Sequence, residues 1–167
     1  MNKQFTHPNY DSNKLQHSII EVIQSVPLWS MATVNKDGTS HINTAYFCFD
    51  EDFNFYFLTP PTSRHSLNLL NNNSIAVTVF STDQSWGGGP MQGIQIFGTA
   101  KLTDPDNETL AYNTYGKRFA AFLEWMNSMT VEEKSKVESK FYCLTPTSLK
   151  LFDEKTFGEE TFITINL

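Results

Sequence analysis

Residues 54–80 read NFYFLTPPTSRHSLNLLNNNSIAVTVF. The run Phe53-Asn54-Phe55-Tyr56-Phe57-Leu58 is apolar on nearly both faces. A strand with one wet face would alternate, so this strand is expected to be covered on its outer side by a helix or by another subunit. Pro60-Pro61 makes a rigid corner. Thr62 and Ser63 then cap a short helix running through about Leu70, which Asn71-Asn72-Asn73 close because Asn tolerates the left-handed conformation. Ile75 to Phe80 is the next strand.

The corner Thr59–Leu70 is also the leading candidate site. The first N–H groups of a helix have no internal partner, and the helix dipole is positive there. Ser63 adds a hydroxyl, Arg64 a fork of donors suited to phosphate, and His65 a further donor. Together they read as an anion pocket. The same spacing also fits an ordinary capped helix with a solvated arginine.

Upstream, Leu15, Ile19, Val22, Ile23 and Val26 fall at spacings of three and four, which predicts an amphipathic helix over 12–25, capped by Asp11 or Ser12 and ended by Pro27. The period then changes. Leu28–Val34 and His41–Phe49 read as strands joined by the turn Asn35-Lys36-Asp37-Gly38, with Asp50-Glu51-Asp52 turning the chain into the third strand. In the segment His41–Phe47, small and polar residues (Asn43, Thr44, Ala45) sit mid-strand before Tyr46, where a core strand would hold Val or Ile. Such residues let a flat ligand approach the backbone, and they equally suit a polar outer face.

Downstream, a loop over 81–91 carries Trp86-Gly87-Gly88-Gly89-Pro90. Trp86 could cover a ring system, or the loop could be simply mobile. Gln92–Leu102 alternates cleanly and is the fifth strand. Asp104-Pro105 starts a helix expected to run to about Met126, with Ala111, Tyr115, Phe119, Phe122 and Met126 on one stripe. A short charged helix over 131–139, a strand from Phe141 to Phe152 and a last one over 160–165 follow. The fold class is mainly β with flanking helices, and the several antiparallel strands point to a closed or nearly closed barrel. One domain spans 1–167, with the N-terminal helix at 12–25, the barrel core at 28–102 and the C-terminal helices and closing strands at 105–166.

Composition sets bounds on function. The chain is 40% hydrophobic, 18% charged and 14% aromatic, with a net charge of −6. That is globular, and it argues against a nucleic-acid partner, which needs a basic surface; Arg64-His65 and Lys117-Arg118 are the only dense basic spots. Cys48 and Cys143 lie far apart in strand-like runs and read as buried, reduced thiols. No zinc spacing, nucleophile elbow, GxGxxG or GxxxxGK[ST] pattern is present, so the catalytic residues stay unassigned and no metal is expected. The polar first eleven residues have no apolar signal core and no apolar stretch is membrane-length, which places the protein, as an expectation, in the cytoplasm away from membranes.

Three segments, ATVNKDGTSHINTAYF, NFYFLTPPTSRHSLNLLNNNSIAVTVF and GIQIFGTAKL, together resemble the pyridoxamine 5′-phosphate oxidase-like FMN-binding split-barrel family, with its Greek-key-like antiparallel barrel. The resemblance covers about Leu28–Leu102 and continues more weakly to the C-terminus. It implies an FMN cofactor at a homodimer interface. Arg64 and His65 would hold the phosphate, with Ser63 at the helix cap and Thr59 at the strand end. Asn43, Thr44, Ala45 and Tyr46 would lie along the isoalloxazine ring, and Gln92 would be the contact supplied by the second subunit; Trp86 joins the cofactor-binding candidates from its own reading as a ring cover. The departures are specific. His65 stands where the family usually has Lys, which ties phosphate binding to pH. Phe47 stands at a phosphate-binding Lys of the oxidase and Gly93 at a Gln, and the oxidase's C-terminal substrate Arg and His have no match in 147–167. The resemblance therefore implies a flavin-dependent oxidoreductase of unidentified substrate rather than the oxidase itself. A non-catalytic flavin-binding or sensing protein, or a relative binding another planar cofactor such as haem, are the alternatives.

Overall fold

Six antiparallel strands close on themselves in the computed structural model, which describes residues 5–167. They are β1 (Leu28–Val34), β2 (Ser40–Phe49), β3 (Phe55–Thr59), β4 (Ser74–Phe80), β5 (Gln92–Leu102) and β6 (Lys140–Asp153). The order is β3-β2-β1-β4-β5-β6, and β3 pairs back onto β6. The long β6 makes this possible: its first half, Lys140–Leu144, pairs with β3, and its second half, Ser148–Phe152, pairs with β7 (Phe162–Asn166). Closure leaves no barrel edge to protect. The interior is aromatic. Trp29 and Phe47 stack at 4.7 Å and 2°, with Phe55 and Phe57 around them, and all four are buried.

Helix α1 (Ser12–Ser25) has the expected bounds, with Asp11 as its cap accepting from the Lys14 N–H. It lays Leu15, Ile19, Val22 and Ile23 on the barrel end. Helix α2 (Arg64–Asn71) is capped by Ser63. Its three following Asn do not turn left-handed: Asn72 is extended at φ −144°, because the chain feeds straight into β4. Left-handed backbone is found instead at Phe53, at φ 57° in the turn before β3, and that strand starts at Phe55 and not at Phe53.

The helix expected over 105–126 is two: α3 (Pro105–Arg118) and α4 (Ala120–Ser128), broken at Phe119. The apolar stripe runs through the break, so periodicity could not show it. The break has a packing cause. Leu123 of α4 folds back onto Gly116 of α3, where a Cβ would lie within 2.9 Å of the leucine methyls. Arg118 is drawn the other way, donating to the Ile23 and Val26 carbonyls at the end of α1 at 3.0 and 2.6 Å with its guanidinium over the Phe47 ring. This covers the negative end of α1 with a cation. Two short helices follow, α5 (Val131–Ser135) and α6 (Glu154–Phe157), the latter not expected from the sequence.

The two-sided apolarity of β3 has its explanation here. Tyr56 on the outer face packs with Ala111 and Tyr115 of α3 and with Phe141. A helix covers this strand, so the strand itself gives no reason to invoke a second subunit. Cys48 and Cys143 flank Tyr56 on neighbouring strands as free thiols. Burial pushes the Cys48 thiol up to about 12, which keeps it protonated and unreactive. No helix among the described residues is long and apolar enough to cross a membrane.

Candidate functional site

The corner between β3 and α2 collects its polar groups on one imidazole. The Nε2 atom of His65 lies 2.6 Å from the Thr59 hydroxyl and 3.0 Å from that of Ser63. A relay fixes the direction of these bonds. The Pro60 carbonyl can only accept, so the Ser66 hydroxyl donates to it at 2.9 Å. The Ser66 oxygen accepts from Ser63 Oγ at 2.8 Å, and the Ser63 oxygen in turn accepts from His65 Nε2. With Ser63 Oγ accepting, His65 is the Nε2–H tautomer, and the Thr59 hydroxyl has the Ser63 oxygen within reach of its own proton at 3.3 Å. The N–H groups of Arg64 and His65, first in the helix, have no acceptor among the described residues. The Arg64 side chain is exposed.

His41 of β2 brings a second imidazole beside this corner, its ring 6.3 Å from that of His65 and 13° from parallel. Burial, and secondarily the His41 charge, hold His65 below the ordinary imidazole range, so it is neutral near pH 7 in the free protein. Asn68, buried on α2, donates to Thr33 Oγ1 and Asn35 Oδ1 and locks the helix against β1.

The pleat divides the four expected residues of β2. Asn43 and Ala45 share the face of His41, opposite Met31 and Trp29 in the ladder. Thr44 and Tyr46 point outward, and Tyr46 meets Phe119 edge-on at 5.5 Å. Asn43 Oδ1 is buried and has no hydrogen-bond partner, an acceptor left waiting on the face beside α2.

Trp86 and Gln92 are not brought to this corner. By strand register they lie at the opposite barrel end, where Phe80 pairs with Gly93 and Gln92 with Asp153. Trp86 is fully exposed and touches nothing that would seat it. The Gln92 side chain turns inward and donates to Asp153 at 2.8 Å, and its backbone is held on both sides by the Gln84 amide. The outward-facing residue beside it is Gly93. Sequence reasoning missed Lys140, which sits directly opposite Thr59 across the β3–β6 ladder, so its side chain leaves the sheet on the same side as the Thr59 hydroxyl. No local motif marks it, because a hundred-residue-scale pairing is needed to place it there.

The family model for pyridoxamine 5′-phosphate oxidase matches residues 15–152. No curated protein matches the sequence. Among solved structures, a haem-binding protein from Mycobacterium smegmatis superposes with a TM-score of 0.69 at 10% identity, over 87% of this chain and 55% of that one. HutZ, the haem storage protein from Vibrio cholerae, gives 0.63 at 16% identity over 90% and 94%. A Clostridium acetobutylicum protein related to general stress protein 26 gives 0.67 at 16% identity over 95% and 97%. This chain thus spans about half the length of the first of these and nearly all of the other two. At such identities the likeness is one of fold.

Proposed function

The chain belongs to the pyridoxamine 5′-phosphate oxidase family, and on that premise we propose that it binds FMN, with the cofactor phosphate at the corner between β3 and α2. The observation that carries this reading is the convergence there of donors without acceptors, the Arg64 and His65 N–H groups and the exposed Arg64 guanidinium, with the Thr59 hydroxyl beside them. Such a set suits a phosphate dianion. Lys140 adds a second cation on the same side, taking up part of the charge lost where His65 replaces a lysine. The orphaned Asn43 Oδ1 would accept from a ring N–H of the flavin, with Ala45 giving the ring room. Bound there, FMN would supply hydride and single-electron chemistry; the chain's own residues bind and orient it, and none forms an acid–base pair beside it. The function supported is accordingly a flavin-dependent oxidoreductase of unidentified substrate. Arg64→Ala is expected to weaken FMN binding by about 1.5–3 kcal/mol, roughly tenfold or more, measured by quenching of flavin fluorescence; an unchanged dissociation constant would falsify the phosphate assignment.

The site also carries a pH signature. A bound dianion raises the His65 pKa from its depressed value in the free protein, so binding takes up a proton. Affinity should fall as pH rises through the bound-state value of His65, in the range above about pH 7 where the FMN phosphate is almost wholly a dianion. His65→Lys should bind more tightly and lose this dependence. The opposite slope, or a slope that the lysine variant keeps, excludes His65 from the phosphate shell.

The outer faces of β1 and β2 support a homodimer. Ile42 is 70% and Tyr46 53% exposed, and the register sets them beside Leu28 and Ala32 in one apolar strip that continues through Ala76 to Phe97. A patch of this kind fits a second copy. Native mass from light scattering should be twice the chain mass, and Ile42→Asp should halve it.

Haem is the second reading. Two imidazoles flank the site, and imidazole is a common axial ligand; His65 Nε2 is engaged by Thr59 and Ser63, which leaves His41 as the free one. The absorption spectrum of purified protein titrated separately with FMN and with haemin decides between them: flavin bands for the first reading, a Soret band lost in His41→Ala for the second.

A further inference from the structure

A cavity of about 860 Å³ opens between α1, α3 and the turn that joins β2 to β3. It lies at the far end of β3 from the α2 corner, since the turn precedes the strand and Thr59 ends it. Its apolar lining comes from three elements: Ile20 of α1, Phe49 of β2 and Leu110 of α3. Leu110 is exposed and the other two are half-buried, so an apolar group entering here takes all three further out of water.

The charged lining is divided by element. Both cations, Lys117 and Arg118, stand at the C-terminal end of α3, and the three carboxylates, Asp50, Glu51 and Asp52, stand on the turn. The two sides do not cancel: Lys117, Arg118 and Glu51 make no ion pair among the described residues. Asp50 is engaged within the turn and strand, accepting from the Asp52 and Asn54 N–H groups and from the Tyr56 hydroxyl.

Arg118 is the group that calls for a ligand. Its Nη2 donates to the Ile23 and Val26 carbonyls, and the guanidinium lies 4.4 Å over the Phe47 ring. Its Nη1 is buried and has no hydrogen-bond partner. Burial also holds its pKa below the ordinary guanidinium value. A cation drawn out of water with a spare donor and no counter-ion is costly, and an anionic group in the cavity it lines relieves that cost. Between the two charged sides, the side chains of Gln16, Gln24 and Thr114 make no hydrogen bond among the described residues, which leaves amides and a hydroxyl for a polar ligand.

We propose that this cavity binds a zwitterion of dipeptide size, its carboxylate at Arg118 and Lys117, its ammonium at Glu51 and the turn, and its apolar side chain against Ile20, Phe49 and Leu110. A simple anion would meet the turn carboxylates and a simple cation the α3 cations; a ligand with both charges, held apart, answers both walls. The volume is that of a small-molecule site, and the uncommitted amides match a peptide link between the two charges. None of Thr59, Arg64 and His65 lines the cavity, so this reading stands whether or not FMN binds at the α2 corner.

The test titrates the full chain with leucylglycine by isothermal calorimetry. Leucylglycinamide, which lacks the carboxylate, and N-acetyl-leucylglycine, which lacks the ammonium, are the controls. Leucylglycine is expected to bind saturably, and each blocked form about fivefold more weakly or worse. Lys117→Gln and Glu51→Gln, both at exposed side chains, should each weaken leucylglycine by about threefold. The pattern should cross: Lys117→Gln leaves leucylglycinamide unchanged, and Glu51→Gln leaves N-acetyl-leucylglycine unchanged. Arg118→Lys keeps the charge and loses the spare donor, and should weaken leucylglycine by about tenfold; the two surface variants carry the test should that one fold poorly. No saturable heat in wild type, a blocked form that binds as tightly as leucylglycine, or wild-type affinity in both Lys117→Gln and Glu51→Gln overturns the proposal. FMN affinity, read from flavin fluorescence of the same samples, should be equal in wild type and Lys117→Gln; a loss there would mean that the cavity is part of the flavin site and would overturn its independence.

Discussion

Gly98→Ala is expected to destabilise the fold by about 3 kcal/mol or more, which for a chain of this size lowers the melting temperature by roughly 6–12 °C. Gly98 lies in β5 where the register against β6 shifts: Phe97 pairs with Ser148 but Gly98 pairs with Pro146, so Thr147 is an extra residue on β6. This bulge allows Pro146, which has no N–H for the ladder, to sit in the middle of a long strand. The Thr147 hydroxyl repairs part of the interrupted pairing by donating to the Phe97 carbonyl at 3.2 Å. All of this brings β6 unusually close. A Cβ on Gly98 would lie 2.8 Å from Pro146 Cα and run into the Thr145 carbonyl oxygen. These are backbone atoms of a strand held on both sides, and they cannot swing away as a side-chain tip would. The measurement is a urea or thermal melt; a variant within about 1 kcal/mol of wild type would mean that the two strands part readily at the bulge.

The position of Gly98 also shows what a single sequence can and cannot disclose. The alternation of Ile94, Ile96, Gly98, Ala100 and Leu102 identifies a half-buried strand, and the meander from Leu28 to Thr59 follows from turn residues and period two. These are local signals, and the strands they predict are present. Two kinds of feature were not legible. The first depends on where a periodic pattern is interrupted by contacts from elsewhere. The stripe Ala111, Tyr115, Phe119, Phe122, Met126 continues through a break caused by Gly116 and Arg118, whose partners are Leu123 and the carbonyls of Ile23 and Val26. The second depends on strand pairing over long separations. Thr59, Ser63, Arg64 and His65 are neighbours in the chain, so their common site could be read directly. That Lys140 faces Thr59, that Asn43 and Ala45 share the face of His41 while Thr44 and Tyr46 leave by the other, and that Trp86 and Gln92 lie at the far end of the barrel are properties of register. A one-residue slip would reverse each face.

Asp153 is the clearest example of a residue whose role only the closed barrel creates, and its removal is expected to have the largest effect. It is fully buried at the end of β6 and accepts from three elements distant in sequence or distinct in type: the Ser18 hydroxyl of α1, the Gln92 amide of β5 at 2.8 Å, and the Thr156 N–H that opens α6 at 3.2 Å. Burial alone would raise its pKa; the bonds from Ser18, Thr156 and Gln92 outweigh that and hold the carboxyl below the usual carboxylate range. Asp153→Ala takes the acceptor from all three donors, Ser18 buried and Gln92 and Thr156 partly buried, a loss of about 3–4 kcal/mol. Asp153→Asn keeps the shape and should cost about 2 kcal/mol near neutral pH. The sign of the pH dependence follows from the depressed pKa. The unfolded chain takes up the Asp153 proton more readily, so the carboxylate's contribution is complete above about pH 5 and is lost as pH falls through the folded-state value. The stability gap between wild type and Asp153→Asn should therefore shrink steadily in urea melts taken below about pH 4. A gap that stays constant into acid would mean that the proton on Asp153 is irrelevant and that the aspartate acts by shape alone. Because the same carboxylate holds Gln92, and Gln92 together with Gln84 fixes the base of the Trp86 loop, Asp153→Asn should also loosen that loop, seen as faster proteolytic cleavage within 81–91 while cleavage near α2 is unchanged.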